Sequence, residues 1–193
     1  MSVTNEDKAP REHEDIQERI TKGLLVVHTG NGKGKSTAAF GVLFRSLGRG
    51  YKVAVVQFIK GTWITGEMKA LERFGDLAEF HAMGDGFTWD TKNLEQDKAS
   101  ARRGWEKCLE LIRAKKHHVL LFDELNCVLH YGFLPVSEVM RGLSERDPKT
   151  HILITGRDAP PELIEAADLV TEMRNIKHPY ETQKIKAQPG LEY

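Results

Sequence analysis

Short, unbroken apolar runs alternate along this chain with longer stretches whose apolar residues recur every three or four positions. The runs at 24–29 (Leu24-Leu25-Val26-Val27-His28-Thr29), 53–59, 118–123 and His151–Thr155 are too continuous for strands with one wet face. They read as strands buried on both faces. Residues 77–81 and 169–173 read as two further strands. The segments Lys35–Leu47, 67–74, 93–117, Val136–Leu143 and 160–167 read as helices. Gly48-Arg49-Gly50 stops the first of them, as glycine commonly does. Pro160-Pro161 opens the last, where a missing amide donor costs nothing. The alternation predicts an α/β domain, a mostly parallel sheet with helices on both faces. Right-handed crossovers gather the strand-to-helix loops at one edge of such a sheet, where ligands bind.

The two ends of the chain depart from this rhythm. Residues 1–22 are polar and dense in both charge signs, with only Ile16 and Ile20 spaced for one face of a helix. So little apolar surface makes a helix marginal alone. Residues 1–22 are therefore expected to form a mobile N-terminal segment that docks on the body, a partner or a ligand, and 23–193 a single domain. The segment lacks the apolar centre of a signal peptide, and no apolar run approaches the length of a membrane span. The tail 175–193 reads as polar and irregular. His117 and His118, at a helix-to-strand junction, read as solvated.

Composition narrows the class. In 193 residues, 28 Lys and Arg balance 28 Asp and Glu, which argues against a general nucleic-acid binder. A chain of this size buries about 70% of its unfolded surface and needs no disulfide or metal staple. Cys108 and Cys127 are too few for a metal cluster and read as reduced thiols of a cytoplasmic protein.

The first strand runs into Gly30-Asn31-Gly32-Lys33-Gly34-Lys35-Ser36-Thr37 and then into the first helix. This is the setting of a phosphate-binding loop. Glycines let successive amides turn inward, and the helix N-terminus adds unpaired donors and positive potential. Lys35 brings a full charge to phosphate oxygens, and the Ser36 hydroxyl can ligate Mg²⁺. Thr29 stands where the usual pattern has its first glycine, and Lys33 is an additional cation. The fourth strand ends in Asp123-Glu124. Such an acidic end holds the metal in phosphate-loop proteins, and it would lie beside the loop if the two strands are neighbours. Ser36 and Glu124 are expected to contact the metal, with Asp123 in support. Loop and acidic strand together predict a P-loop NTPase-like, RecA-like fold. Hydrolysis, phosphoryl transfer and attack at another atom of the nucleotide all share this cradle.

Three further stretches fall at the expected ligand edge. Val56-Gln57-Phe58-Ile59-Lys60-Gly61 ends the second strand with a lysine. Thr155-Gly156-Arg157 puts a guanidinium where it can reach a phosphate. Gly84-Asp85-Gly86-Phe87-Thr88-Trp89-Asp90 carries two aromatics, either anchors of the loop or an apolar wall for a large flat ligand.

The loop resembles that of the ATP:corrinoid adenosyltransferases of bacterial vitamin B12 metabolism. The likeness continues, in order over 23–193, in Val56-Gln57-Phe58-Ile59-Lys60-Gly61-Thr62-Trp63, Gly86-Phe87-Thr88-Trp89, Asp123-Glu124-Leu125-Asn126, Thr155-Gly156-Arg157, Lys177-His178-Pro179-Tyr180 and Lys186-Ala187-Gln188. Ser36 replaces a threonine often found there. The resemblance implies transfer of the 5′-deoxyadenosyl group of ATP to the Co(I) of a reduced corrinoid, with triphosphate leaving. It implies ATP bound in reverse relative to hydrolytic phosphate-loop proteins, so that C5′ is open to the corrin. Gly30, Asn31, Gly32, Lys33, Gly34, Lys35, Ser36, Thr37, Lys60 and Arg157 would then hold the nucleotide. Lys35 and Glu124 would serve catalysis, Ser36, Glu124 and Asp123 the Mg²⁺ (or Mn²⁺), and Phe87 and Trp89 the corrinoid. It further implies a homodimer whose N-terminal segment covers the site, and a flavoprotein reductant. The other readings are an ATPase or kinase, told apart by ADP and phosphate as products, and a nucleotide-dependent regulator without turnover.

Overall fold

A computed structural model describes residues 21–59, 65–83 and 94–192. Its order is β1 (Leu25–Thr29), α1 (Lys35–Leu47), β2 (Val53–Gln57), α2 (Gly66–Glu72), a 3-10 turn (Gly75–Leu77), β3 (Ala78–Ala82), α3 (Leu94–Ala114), β4 (Val119–Asp123), α4 (Leu125–His130), α5 (Val136–Leu143), β5 (His151–Thr155), α6 (Pro161–Ala166), β6 (Leu169–Glu172) and α7 (Pro179–Gln183). The six strands form one sheet in the order β3-β2-β4-β5-β1-β6. Every pairing is parallel. This is the expected α/β, P-loop NTPase-like architecture.

The alternation of side chains across each strand divides the core in two. Leu25, Val27, Ala54, Val56, Leu120, Phe122, Ile152 and Ile154 face α3, α4, α5 and α6. Val53, Val55, Val119, Leu121 and Leu153 face α1 and α2 on the opposite side. Both faces are dry, which is why the central strands carry no polar alternation. The edge strands β3 and β6 are the partly exposed ones, and their sequences are correspondingly less apolar. On the first face Trp105 of α3 meets Phe122 edge-on, ring centroids 6.3 Å apart. Among the described residues no helix is long and apolar enough to cross a membrane.

Three expectations need correction. β1 and β4 are not neighbours, because β5 lies between them. The tail is not wholly irregular: it contains α7, opened by Pro179 and capped by the His178 ring, whose Nδ1 accepts from the Tyr180 amide (3.2 Å). His117 is not solvated. It is buried, and its Nε2 lies 3.0 Å from the Glu79 carboxylate of β3, so one ring nitrogen is partnered across the sheet. The short α4, absent from the strand-and-helix reading, starts directly from β4 with Leu125, Val128 and Leu129 turned into the core.

Candidate active site

The phosphate loop is shaped by its neighbours as much as by its own glycines. Gly34 caps α1 with φ 108°, a conformation costly for any residue with a Cβ. At Gly32 a Cβ would come within 2.7 Å of the Arg174 backbone. That close approach lets the Gly32 amide donate to the Met173 carbonyl at 2.6 Å, which ties the loop to the end of β6. Thr29, in place of the usual glycine, is buried and its Oγ1 accepts from the Ala159 amide at 3.1 Å. The departure from the common pattern thus fastens β1 to the segment that carries Arg157.

α1 begins without a side-chain cap and without an acid in its first turn. Its first amides are therefore available to an anion, and no carboxylate of that turn competes for the helix dipole. Lys35 is buried, and its Nζ donates to the Gly32 carbonyl at 2.7 Å. Burial lowers the pKa of this ammonium; Glu124 opposes the shift, and Arg157 and Lys33 add to it. These four charges therefore share one field, and an arriving polyphosphate relieves the repulsion among the three cations. Ser36 follows at partial exposure, and Thr37 and Lys33 are exposed.

Although β5 separates β1 from β4, it also links them. Asp123, fully buried, accepts from the Thr155 hydroxyl (2.7 Å) at one oxygen and from the Gln57 amide group (2.8 Å) at the other. The same Thr155 oxygen accepts from the Glu124 backbone amide at 2.9 Å. Glu124 itself has φ 65°, uncommon for a residue with a side chain. Such strain persists where the surroundings enforce it, often at functional sites. Here the Thr155 hydroxyl and the start of α4 enforce it. The Cys127 thiol donates to the Glu124 carboxylate at 3.1 Å. Burial, and then the adjacent carboxylate, push the Cys127 pKa up to about 12. Cys108 is likewise buried, and burial raises its pKa as well. Iodoacetamide at neutral pH is thus expected to leave both thiols unmodified in the folded chain and to label both in urea, as read by intact mass.

A cavity of about 310 Å³ opens over the loop. Loop residues, Lys35 among them, and Arg157 form one side; Asn175, His178, Tyr180 and Glu181 form the other. Gly30, Asn31, Gly32, Lys33, Gly34, Lys35, Ser36 and Thr37 are contiguous at the site, with Arg157 beside them and Glu124 within electrostatic reach of Lys35. Asp123 is turned inward to Gln57 and Thr155. Lys60, Phe87 and Trp89 lie outside the described residues. Sequence alone marks the α7 wall through the family-like stretch Lys177-His178-Pro179-Tyr180 and the helix-opening Pro179, but assigns no role to its residues. It also misses the bracing of Asp123 by Gln57 and Thr155, which depends on strand order.

Comparisons with known proteins agree with this geometry. The family model described as ATP:corrinoid adenosyltransferase BtuR/CobO/CobP matches residues 21–193. A corrinoid adenosyltransferase of Sinorhizobium sp. is 50% identical over 188 residues, covering 96% of this chain and 87% of that protein. Those of Pseudomonas aeruginosa and Escherichia coli K12 are each 44% identical, covering 96% and 92% of this chain and 91% and 89% of theirs. Among solved structures, the flagellar accessory protein FlaH from Methanocaldococcus jannaschii has a TM-score of 0.54 at 16% identity, covering 79% of this chain and 72% of that one. That likeness concerns the fold alone.

Proposed function

We propose, for a chain that belongs to the ATP:corrinoid adenosyltransferase family, that residues 30–37 grip the triphosphate of ATP while the ribose C5′ faces the cobalt of a reduced corrinoid. The chain adenosylates a corrinoid with ATP. An electron pair of Co(I) forms the Co–C bond, the bond from C5′ to the bridging oxygen breaks, and triphosphate leaves with that bond's electrons. No proton has to be removed from the nucleophile, so the site needs no general base. It must instead stabilise charge growing on the leaving group. The observation that supports the grip on the triphosphate is the convergence of buried Lys35 and Arg157 on one cavity at the start of α1, with no acid in the first turn of that helix; the choice of adenosyl transfer over hydrolysis rests on the family.

The Ser36 hydroxyl and the Glu124 carboxylate are oxygen donors suited to a hard divalent cation. Among the described residues no cluster of three or more His, Cys, Asp or Glu makes a cage of its own. Mg²⁺, or Mn²⁺ in its place, is proposed to be shared between these two side chains and the phosphates, as is common for ions with few protein ligands. Bound there, it would neutralise phosphate charge. Asp123 would keep Glu124 in place through Thr155. Phe87 and Trp89 are proposed as the apolar wall for the corrinoid and Lys60 as a further nucleotide contact, on the strength of their motifs. The same resemblance supports a homodimer and a flavoprotein reductant, and the reading of Cys108 and Cys127 as reduced thiols supports a cytoplasmic setting.

The test is to incubate the protein with ATP, Mg²⁺ and chemically reduced cobalamin. A light-sensitive alkylated corrinoid and an equal amount of triphosphate are expected, both lost with EDTA. ADP and phosphate as the only products would replace this reading with an ATPase or kinase.

A further inference from the structure

The end of the chain returns to the phosphate loop. The segment leaving β6 is bonded to the loop at its start, through Gly32 and the Met173 carbonyl, and again at its end, where the Glu192 carboxylate pairs with the Lys33 ammonium. Between these points α7 lines the cavity. The last turn is closed by the Leu191 and Glu192 amides on the Gln188 carbonyl, at 3.2 and 3.0 Å. Residues 190–192 line a groove with Thr37 and Phe44 of α1 and Ala70 of α2. The Glu192 side chain is 14% exposed and that of Lys33 52%. The acid is thus the seated partner, and the lysine arm is the one that can swing.

The two loop lysines are therefore unlike. Lys35 is buried, bonded to the loop's own Gly32 carbonyl and faces the cavity. Lys33 lines the same cavity but is held by a carboxylate from the tail. A highly charged anion would use both lysines and Arg157, and a product held by every cation leaves slowly. A tethered carboxylate offers an exit, because it can take one cation back while the others still hold the anion. We propose that Glu192 is a positioning residue that competes with polyphosphate for Lys33, so that the tail loosens the loop's hold on triphosphate and speeds its release. This rests on the reading that residues 30–37 bind the triphosphate of ATP.

The test is a calorimetric titration of the full chain with inorganic triphosphate, without corrinoid or reductant. E192Q should bind about fivefold more tightly than the parent, the scale of a partly exposed ion pair. Its affinity should fall more steeply with salt, because one more lysine then engages the anion. Deleting Glu192 and Tyr193 should act in the same direction, and E192D should stay close to the parent. In a Lys33→Gln background the E192Q gain should vanish. Equal or weaker binding by both E192Q and the deletion, or a gain that persists without Lys33, overturns the proposal. A failure of adenosyl transfer in the corrinoid assay would leave these titrations unchanged, so the two readings fail separately.

Discussion

Replacing Lys35 by alanine should lower kcat/KM for ATP by about 10²–10³-fold, the usual cost of removing one preorganised group that stabilises leaving-group charge. The side chain is buried, makes one bond to the loop backbone and lies in the field of Glu124, Arg157 and Lys33. Its loss removes a fixed, buried charge already placed at the cavity, which a mobile water dipole does not replace. The fold should survive, because the glycine geometry of the loop and its bonds to β6 and the β5–α6 segment do not depend on this ammonium. Thermal melting checks that point beside the kinetics. The pH dependence has a definite sign. Burial lowers the Lys35 pKa, so the unliganded site loses this charge at a lower pH than a free lysine would. ATP binding to the parent should therefore weaken as pH rises through that lowered value, and Lys35→Ala should flatten this alkaline limb.

Asp123→Ala should act chiefly on stability. Both carboxylate oxygens accept protein hydrogen bonds, from Gln57 and Thr155, at zero exposure. Alanine leaves two buried donors unpaired, at about 1.5–3 kcal/mol for each bond to a charged group. About 3 kcal/mol corresponds to a Tm about 6–12 °C lower for a chain of this length. The Thr155 oxygen also accepts the Glu124 amide, so the positive-φ turn at Glu124 should relax and the requirement for Mg²⁺ should rise. Asp123→Asn, with the same shape and one acceptor kept, should recover most of the Tm. Calorimetric melting of the three proteins, with Mg²⁺ titrations of activity, separates this bracing role from direct metal contact. An unchanged Tm in Asp123→Ala would remove the bracing role.

Much of this was legible because strands buried on both faces leave a plain trace. The runs before Thr29, Asp123 and Thr155 carry no polar alternation, and each ends at the residue that opens a functional loop. Lys35–Leu47 could be read to its ends because glycines flank it. What stayed hidden depends on contacts distant in sequence. No local signal puts β5 between β1 and β4, and without that order the Asp123–Thr155–Glu124 relay cannot be foreseen. Thr29 reads as a defect in a motif until Ala159 is found on its hydroxyl. Glu124 in a left-handed conformation violates the expectation for a residue with a side chain, and only Thr155 and α4 explain it. α7 is too short for periodicity to show, and its cap is a histidine rather than the serine, threonine, aspartate or asparagine that usually marks a helix start. The pairing of Lys33 with Glu192 joins residues 159 positions apart, beyond the reach of any pattern.

The fastening of the loop on both flanks, through Thr29 to Ala159 and through Gly32 to Met173, has a thermodynamic consequence. The cradle is preorganised before the nucleotide arrives. The entropy of arranging it falls once, when the chain folds, instead of recurring with every catalytic cycle.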